Sequence, residues 1–463
     1  MLANIANTFA NCFKIPELKS RIVFTLVVLG ICRVAAMIPI PGLDGAALTA
    51  FFDSKSASEE GGGLLGMYSM FTGGALERCA VGALGIMPYI SATIILQLLT
   101  AVVPQLSKLA REEGGRAKIV QYGRYLTVLL CLGQGFAMAI GWEHAENIFP
   151  GFSGTLLTES MRGAIWWYRI QTVLILTTGT LLLMWLGEQI TERGIGNGIS
   201  LVISIGILAR LPQALQGLSD MFRSVGGADA RFNFFHAVVM ILLLFGVIAG
   251  VIAVTQAQRK VPVQYAQRAV GRKIVSGGTS FMPLRVNYAG VMPIIFAQAI
   301  LMFPQKILKV MGETLSLPFL SRLSSLLLED AFIYMLLYGA MILFFSYFWV
   351  ATQFNEIQIA DDLKKYGGYI PGVRPGQATS DYLHNAMSRI TLAGAIFLTI
   401  IATIPNLLIR GIGVPFQVAT FFGGTSILIL VGVMLDTMRQ MESHLLMRHY
   451  DGFLKKGRLR GRF

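Results

Sequence analysis

Apolar runs of about 20 residues recur along this chain, and each is long enough to cross the hydrocarbon core of a bilayer as a helix. They fall near 21–40, 121–141, 169–187, 234–255, 331–352, 388–408 and 417–438. A chain in hydrocarbon must satisfy its backbone N–H and C=O groups internally, which leaves helices or closed barrels. The runs are continuous rather than alternating, so a barrel is excluded. Composition agrees: the 463 residues are 54% hydrophobic and only 14% charged, against about 25% charged in soluble proteins. The sequence therefore specifies an all-α polytopic membrane protein.

One stretch is too long for a single crossing. Residues 61–103 are largely apolar for 43 residues, which as one helix would measure roughly 65 Å. It must break, and Gly73-Gly74 is the obvious place. A re-entrant half-helix is expected at about 64–72, with a full span at about 76–102. An amphipathic helix lying on the lipid surface is the alternative for the first piece. Further spans are expected at about 196–211 and 288–304, giving ten transmembrane helices in all. Even parity puts both ends on one side. The basic loops 104–124 and 256–286 and the basic tail mark that side as cytoplasmic, with the acidic loop 42–60 outside. Trp142, Trp166 and Trp167 suit an interfacial belt, and Arg33, inside the first span, needs snorkelling or a partner helix.

An eight-residue phrase occurs twice. Residues 85–92 read Gly-Ile-Met-Pro-Tyr-Ile-Ser-Ala, and residues 290–297 read Gly-Val-Met-Pro-Ile-Ile-Phe-Ala. The copies sit in spans two and seven, each with a helix-distorting Gly and Pro. A second echo, Gly198-Ile-Ser-Leu-Val-Ile203 and Gly424-Thr-Ser-Ile-Leu-Ile429, opens spans five and ten. An interval of five spans is odd, so the two halves have inverted topology, and spans two, five, seven and ten face their axis. The organisation expected is an N-terminal half 1–211, a C-terminal half 212–438 and a basic tail 439–463.

The pathway between such halves is short of charge. An ion-coupled secondary transporter with inverted repeats, the competing reading, needs intramembrane carboxylates or ion sites on broken helices. Glu77 and Arg78 lie at the helix break and Asp436 at a cytoplasmic end, but the middles of the axial spans are aliphatic. Ile90 and Ile94, like Ile199 and Ile203, are spaced i, i+4 and share a helix face. With Ile295 and Ile429 they either form a hydrophobic constriction or pack as ordinary core.

Enzymatic readings find little support. The histidines at 144, 236, 384, 444 and 449 lie in loops or near span ends, and no HExxH occurs. Gly151-Phe-Ser-Gly154 lacks a base, and Gly194-Ile-Gly-Asn-Gly198 follows no strand, so neither a serine protease nor a dinucleotide site is expected. Glu188 and Glu192 read as a solvated helix end. Cys12, Cys32, Cys79 and Cys131 form no CxxC pair, and the last three read as small core residues. No catalytic residue, metal or cofactor is expected. Residues 256–286 carry Arg259, Lys260, Arg268, Arg272, Lys273 and Arg285 with no acid. This is either topological charge or a docking site for an acidic partner, with the loop around Arg374 a second candidate on the same face.

Several long motifs then match a family. Gly187–Leu201, Gly85–Thr100, Ile370–Gly376 and Phe422–Ser426 closely resemble SecY, the channel subunit of the bacterial Sec translocon, in order and over nearly the whole chain. The resemblance implies a protein-conducting channel, with Ile90, Ile94, Ile199, Ile203, Ile295 and Ile429 in a pore ring. It implies a plug near Leu64–Thr72, including Leu64, Leu65, Met67 and Phe71. It makes spans two and seven a lateral gate to the lipid, with Met87, Pro88, Gln97, Met292, Pro293 and Gln298 in its walls. Arg259, Lys260, Arg268, Arg272 and Arg374 match loops that dock the ribosome, through its RNA and proteins, or the SecA motor ATPase. SecE and SecG are the implied small subunits. Signal sequences and nascent polypeptides are the implied cargo, and the bacterial plasma membrane the implied location.

Overall fold

The computed structural model describes residues 15–56, 69, 71–112, 114–148, 152, 154–222, 234–265, 268–270, 273–275, 278–298, 300–301, 319, 332–412, 414, 416–423 and 425–456. Two compact units divide the chain. One comprises Met1–Arg231, Pro415–Val418 and Ile429–Phe463; the other comprises Phe232–Val414 and Ala419–Leu428.

The first unit holds α1 (Pro16–Ala35), α2 (Gly45–Ser56), α3 (Met87–Val102), α4 (Pro104–Arg111), α5 (Gly115–Glu143), α6 (Ile165–Arg193), α7 (Gly198–Leu208) and α8 (Leu211–Phe222). Helix α6 packs along α5 and also meets α1, α3 and α7. The second unit holds α9 (Phe234–Gln256), strands β1 (Gln258–Tyr265), β2 (Arg268–Val270), β3 (Lys273–Val275) and β4 (Thr279–Arg285), then α10 (Phe332–Gln353), α11 (Glu356–Lys365), β5 (Gly368–Tyr369) and α12 (Gln377–Ile412). Helices α13 (Phe416–Gly423) and α14 (Thr425–Lys456) each have residues in both units.

Seven described helices are long and apolar enough to cross a membrane, or up to eight if the pair Met87–Val102 and Pro104–Ala110, bent by 104°, is one span. The chain is thus a multi-pass helical membrane protein. Of the other expected spans, 21–40 falls on α1, which carries Lys19, Arg21 and Arg33, and 288–304 includes the helical residues 292–298.

The repeated phrase shapes the backbone differently from the expectation. Its Gly and Pro do not distort helices; they start them. Gly85 and Gly290 have left-handed φ of +58° and +63°, which a residue bearing a Cβ adopts only at a cost of about 1–2 kcal/mol. Two residues later Met-Pro opens a helix, with Pro88 and Pro293 second in line, where a fixed φ and a missing N–H cost nothing. The first-turn hydrogen bonds match as well: Ile90 N–H donates to the Ile86 carbonyl at 3.2 Å, and Ile295 N–H to the Val291 carbonyl at 3.4 Å. Span two therefore begins at Met87 rather than near 76.

Residues 72–86 are a chain of turns. They pair with the segment after α1, through Ile40 N–H to the Cys79 carbonyl and Val81 N–H to the Ile38 carbonyl, both 2.9 Å. Gly179 of α6 admits them: a Cβ there would lie 2.3 Å from the Val81 carbonyl oxygen.

Two expected loops, and the stretch 212–233, carry structure. Residues 104–124 hold α4 and the start of α5, and 212–233 hold most of α8. Residues 256–286 fold as strands: β1 pairs antiparallel with both β4 and β5, in the order β4-β1-β5, and β2 pairs with β3. Pro262 faces Phe281 in β4, and β5 pairs only with Gln264 and Tyr265, so no ladder bond is lost on the other side of Pro262. Val261, Leu284 and Ile370 pack beneath the sheet with Val350, Phe354, Leu383 and Met387. Trp142 departs from the expected belt, because it is fully buried, while Trp166 and Trp167 are exposed.

Candidate functional site

Helix α3 carries Ile90 and Ile94 on one face, both buried. Helix α7 carries Ile199 and Ile203; Ile203 is buried and Ile199 half-buried. The Asn197 side chain caps α7, its Oδ1 accepting from Ser200 N–H at 3.3 Å. Gly187 lets α7 start against α6, since a Cβ there would lie 3.3 Å from Ile199 Cγ1. Ile429 is buried in α14 and belongs to the same unit. Ile295, also buried, lies in the other unit, where neighbouring Phe296 packs edge-on against Phe345 and Trp349 of α10.

Among the expected gate residues, Met87 and Pro88 are buried at the head of α3, and Pro293 and Gln298 are buried in 292–298, with Met292 half-buried. Gln97 and Gln298 each hold a buried Oε1 with no hydrogen-bond partner among the described residues. Of the expected plug residues, Leu64, Leu65 and Met67 lie outside the described residues, whereas Phe71 is half-buried just before Gly73. Gly73 and Gly74 have φ of +64° and +87°, so the chain does break where the two glycines stand.

The basic residues converge more closely than the sequence suggested. Arg259 and Lys260 are exposed on β1, and Arg268 lies on β2; Arg272 is outside the described residues. Strand β5 joins the β1–β4 pair and leads directly into the turn that exposes Arg374. That turn is pinned by Val373 N–H to the Ile370 carbonyl at 3.0 Å and by Thr379 Oγ1 to the Arg374 carbonyl at 2.9 Å. One small sheet therefore supports both β1 and the Arg374 turn, with Arg259, Lys260 and Arg374 exposed and no acidic residue on β1 or β4.

One charged cluster has no signature in the local sequence, because its members are distant in the chain. Glu77 and Arg210 are both buried and paired, Nη2 to Oε1 at 2.5 Å. Arg33, expected to snorkel or find a partner helix, instead donates from Nη1 and Nη2 to the Gly73 carbonyl at 3.2 and 3.3 Å. The one sequence signal was a set of charges inside otherwise apolar runs. Cys32, Cys79 and Cys131 are free and buried. No group of three or more His, Cys, Asp or Glu that could hold a metal is found among the described residues.

A family model described as SecY matches residues 80–438. The chain is 40% identical over 458 residues to the "Protein translocase subunit SecY" of Chlamydia trachomatis serovar D, covering 98% of this chain and 99% of that one. It is 41% identical over 446 residues to the protein of the same name from Escherichia coli strain K12, covering 96% of each. A solved chain described as "The structure of a protein conducting channel" shares the fold, with a TM-score of 0.57 at 18% identity over 93% of this chain and 96% of that one. Canine Sec61 in a ribosome-channel complex gives a TM-score of 0.54 at 18% identity, with the same coverage. With a family model spanning most of its length and relatives of this identity along nearly all of it, the chain belongs to the SecY family.

Proposed function

We propose that the chain is the pore-forming subunit of a bacterial protein translocase, conducting unfolded polypeptides across the plasma membrane and releasing membrane helices sideways into lipid. The observation that carries this is its identity of about two residues in five with translocase subunits along almost the full length of both chains. The aliphatic residues Ile90, Ile94, Ile199, Ile203, Ile295 and Ile429 form the collar. A channel for arbitrary polypeptides gains nothing from fixed polar contacts, and a deformable apolar ring seals without binding while excluding ions by dewetting. Residues 64–72 are the plug, and the helix starts at Met87-Pro88 and Met292-Pro293, with Gln97 and Gln298 further along, line the lateral gate.

The basic sheet and the Arg374 turn dock an acidic or polyanionic partner, the SecA motor or the ribosome, which supplies the energy that the channel lacks. SecE and SecG complete the complex, and both chain ends face the cytoplasm. The transporter alternative is disfavoured by the absence of acidic residues in α3 and α7 and by the ion pairing of Glu77.

A photo-crosslinker at Ile94 or Ile203 is expected to capture a stalled secretory chain; repeated failure at both positions would count against a protein-conducting path. Deleting residues 64–72 is expected to raise the resting ion leak of vesicles carrying the complex, measured as ion efflux. An unchanged leak would favour a non-conducting scaffold.

A further inference from the structure

We infer that two ion pairs, Arg124–Glu188 and Arg169–Glu143, clamp α5 to α6 at the two faces of the bilayer. The helix pair becomes one body of fixed hydrophobic length, and the lipid around it must match that length in thickness.

The pairs are alike in geometry. Arg124 Nε and Nη2 donate to Glu188 Oε1 and Oε2 at 3.1 and 2.8 Å. Arg169 Nε and Nη2 donate to Glu143 Oε2 and Oε1 at 2.9 and 3.1 Å. Both are two-pronged, the form in which an arginine and a carboxylate fix direction as well as distance. Their spacing is alike too. Arg124 and Glu143 stand 19 residues apart on α5, and Arg169 and Glu188 stand 19 residues apart on α6. As helix this is roughly 28 Å, close to the thickness of the hydrocarbon core. No Asp, Glu, Lys, Arg or His lies in 125–142 or 170–187.

The second pair is not placed for the sake of its own helices. Glu143 is the last residue of α5, and Arg169 lies close to the start of α6. A helix dipole disfavours an acid at the C-terminus and a base at the N-terminus. Each charge is therefore explained by its partner on the neighbouring helix.

Exposed aromatic side chains accompany both clamps, as at a membrane–water boundary. Trp166 and Trp167 precede Arg169, whose guanidinium lies 5.2 Å from the Trp166 ring centroid. Tyr122 and Tyr125 flank Arg124 in sequence, and Trp185 comes one turn before Glu188. Between the two levels, Leu129, Leu132 and Phe136 on α5 and Leu174 and Leu182 on α6 are exposed at helical spacing. That face is the surface offered to acyl chains.

The helices also meet closely between the clamps. A Cβ on Gly135 would lie 3.6 Å from Val173 Cα, and the Tyr168 hydroxyl donates to the Ala139 carbonyl at 3.2 Å. Sliding one helix past the other by a turn, about 5.4 Å, would break both pairs together. Neither helix can then slip or tilt alone to suit a thinner or thicker bilayer, so the mismatch strains the fold.

The test uses the full chain with its membrane subunits in vesicles of dimyristoleoyl, dioleoyl or dierucoyl phosphatidylcholine, which differ in hydrocarbon thickness. Thermal unfolding is expected to be slowest in the dioleoyl bilayer and about tenfold faster in the other two, as several ångströms of mismatch imply. With Glu143→Gln and Glu188→Gln together, the contrast among lipids is expected to fall to about threefold or less. Glu143→Arg combined with Arg169→Glu rebuilds that clamp with the dipoles in its favour, and is expected to keep the contrast. If the doubly substituted chain fails to fold, either Gln variant alone releases one end and should lower the contrast about twofold or more. A wild type indifferent to chain length overturns the inference. So does a chain without clamps that keeps the full contrast, or an exchanged pair that behaves like the chain without clamps.

Discussion

Gly198→Ala is expected to destabilise the chain by about 3 kcal/mol, at the upper end of ordinary overpacking. A Cβ at this position would lie 1.9 Å from the Gly187 carbonyl oxygen and 2.8 Å from Ile190 Cβ. The nearest of these atoms is backbone, so no rotamer change relieves it; the start of α7 must move off α6. Small residues allow this kind of close helix contact in membrane proteins, where apolar burial alone does not drive helices together. Thermal unfolding in mild detergent measures the effect. Gly133→Ala is the control: it sits within α5 with nothing within 4 Å of the added methyl group, and alanine there should gain up to about 1 kcal/mol of helix propensity. Equal losses in both variants would mean that the α6–α7 contact is looser than described.

Arg374→Glu is expected to reduce motor-driven secretion about tenfold or more, which corresponds to the loss of roughly 1.4 kcal/mol or more at a docked charge. The effect should be selective. The Arg374 side chain is exposed while its backbone is fixed by Val373 and Thr379, and the core below, from Val261 to Met387, does not involve it. The amount of channel inserted in the membrane should therefore stay unchanged, as should its melting temperature. Import of a preprotein into inverted vesicles, normalised to channel content, reads the difference. Parallel loss of insertion and secretion would point to a structural role for the turn.

Long apolar helices were legible with little else than residue counting. The expected span 234–255 became Phe234–Gln256, and 331–352 became Phe332–Gln353, because twenty or so continuous apolar residues have one stable form in lipid. Elements outside that rule were not legible. Strands β1 and β4 contain Pro262 and Pro283 amid cations, so neither hydropathy nor strand propensity marked them. Helices α4 and α8 mix polar and apolar residues over only about two and three turns, too short to separate from loop by composition. The glycines at 73, 74 and 85 announced irregular backbone, but not that residues 72–86 would remain turns until Met87. In the candidate site, individual positions such as Ile90 and Arg374 could be named from spacing and resemblance. The Glu77–Arg210 pair could not, since contacts between distant segments follow from packing rather than from local pattern.

The course of α14 bears on how the protein is made. Gly196 N–H donates to Gln440 Oε1 at 2.8 Å, and Met441 closes a buried cluster with Leu18 and Ile195. Thus the unit begun by the first residues is finished only by the last helix. Synthesis runs from the N-terminus at roughly 5–20 residues per second, so Leu18 and Ile195 wait through the making of the whole intervening unit. During that interval an apolar surface stays uncovered, and the nascent chain must be shielded by lipid or by a helper until Met441 arrives. A ribosome that stops short of Met441 would leave Leu18 and Ile195 without the residue that completes their cluster.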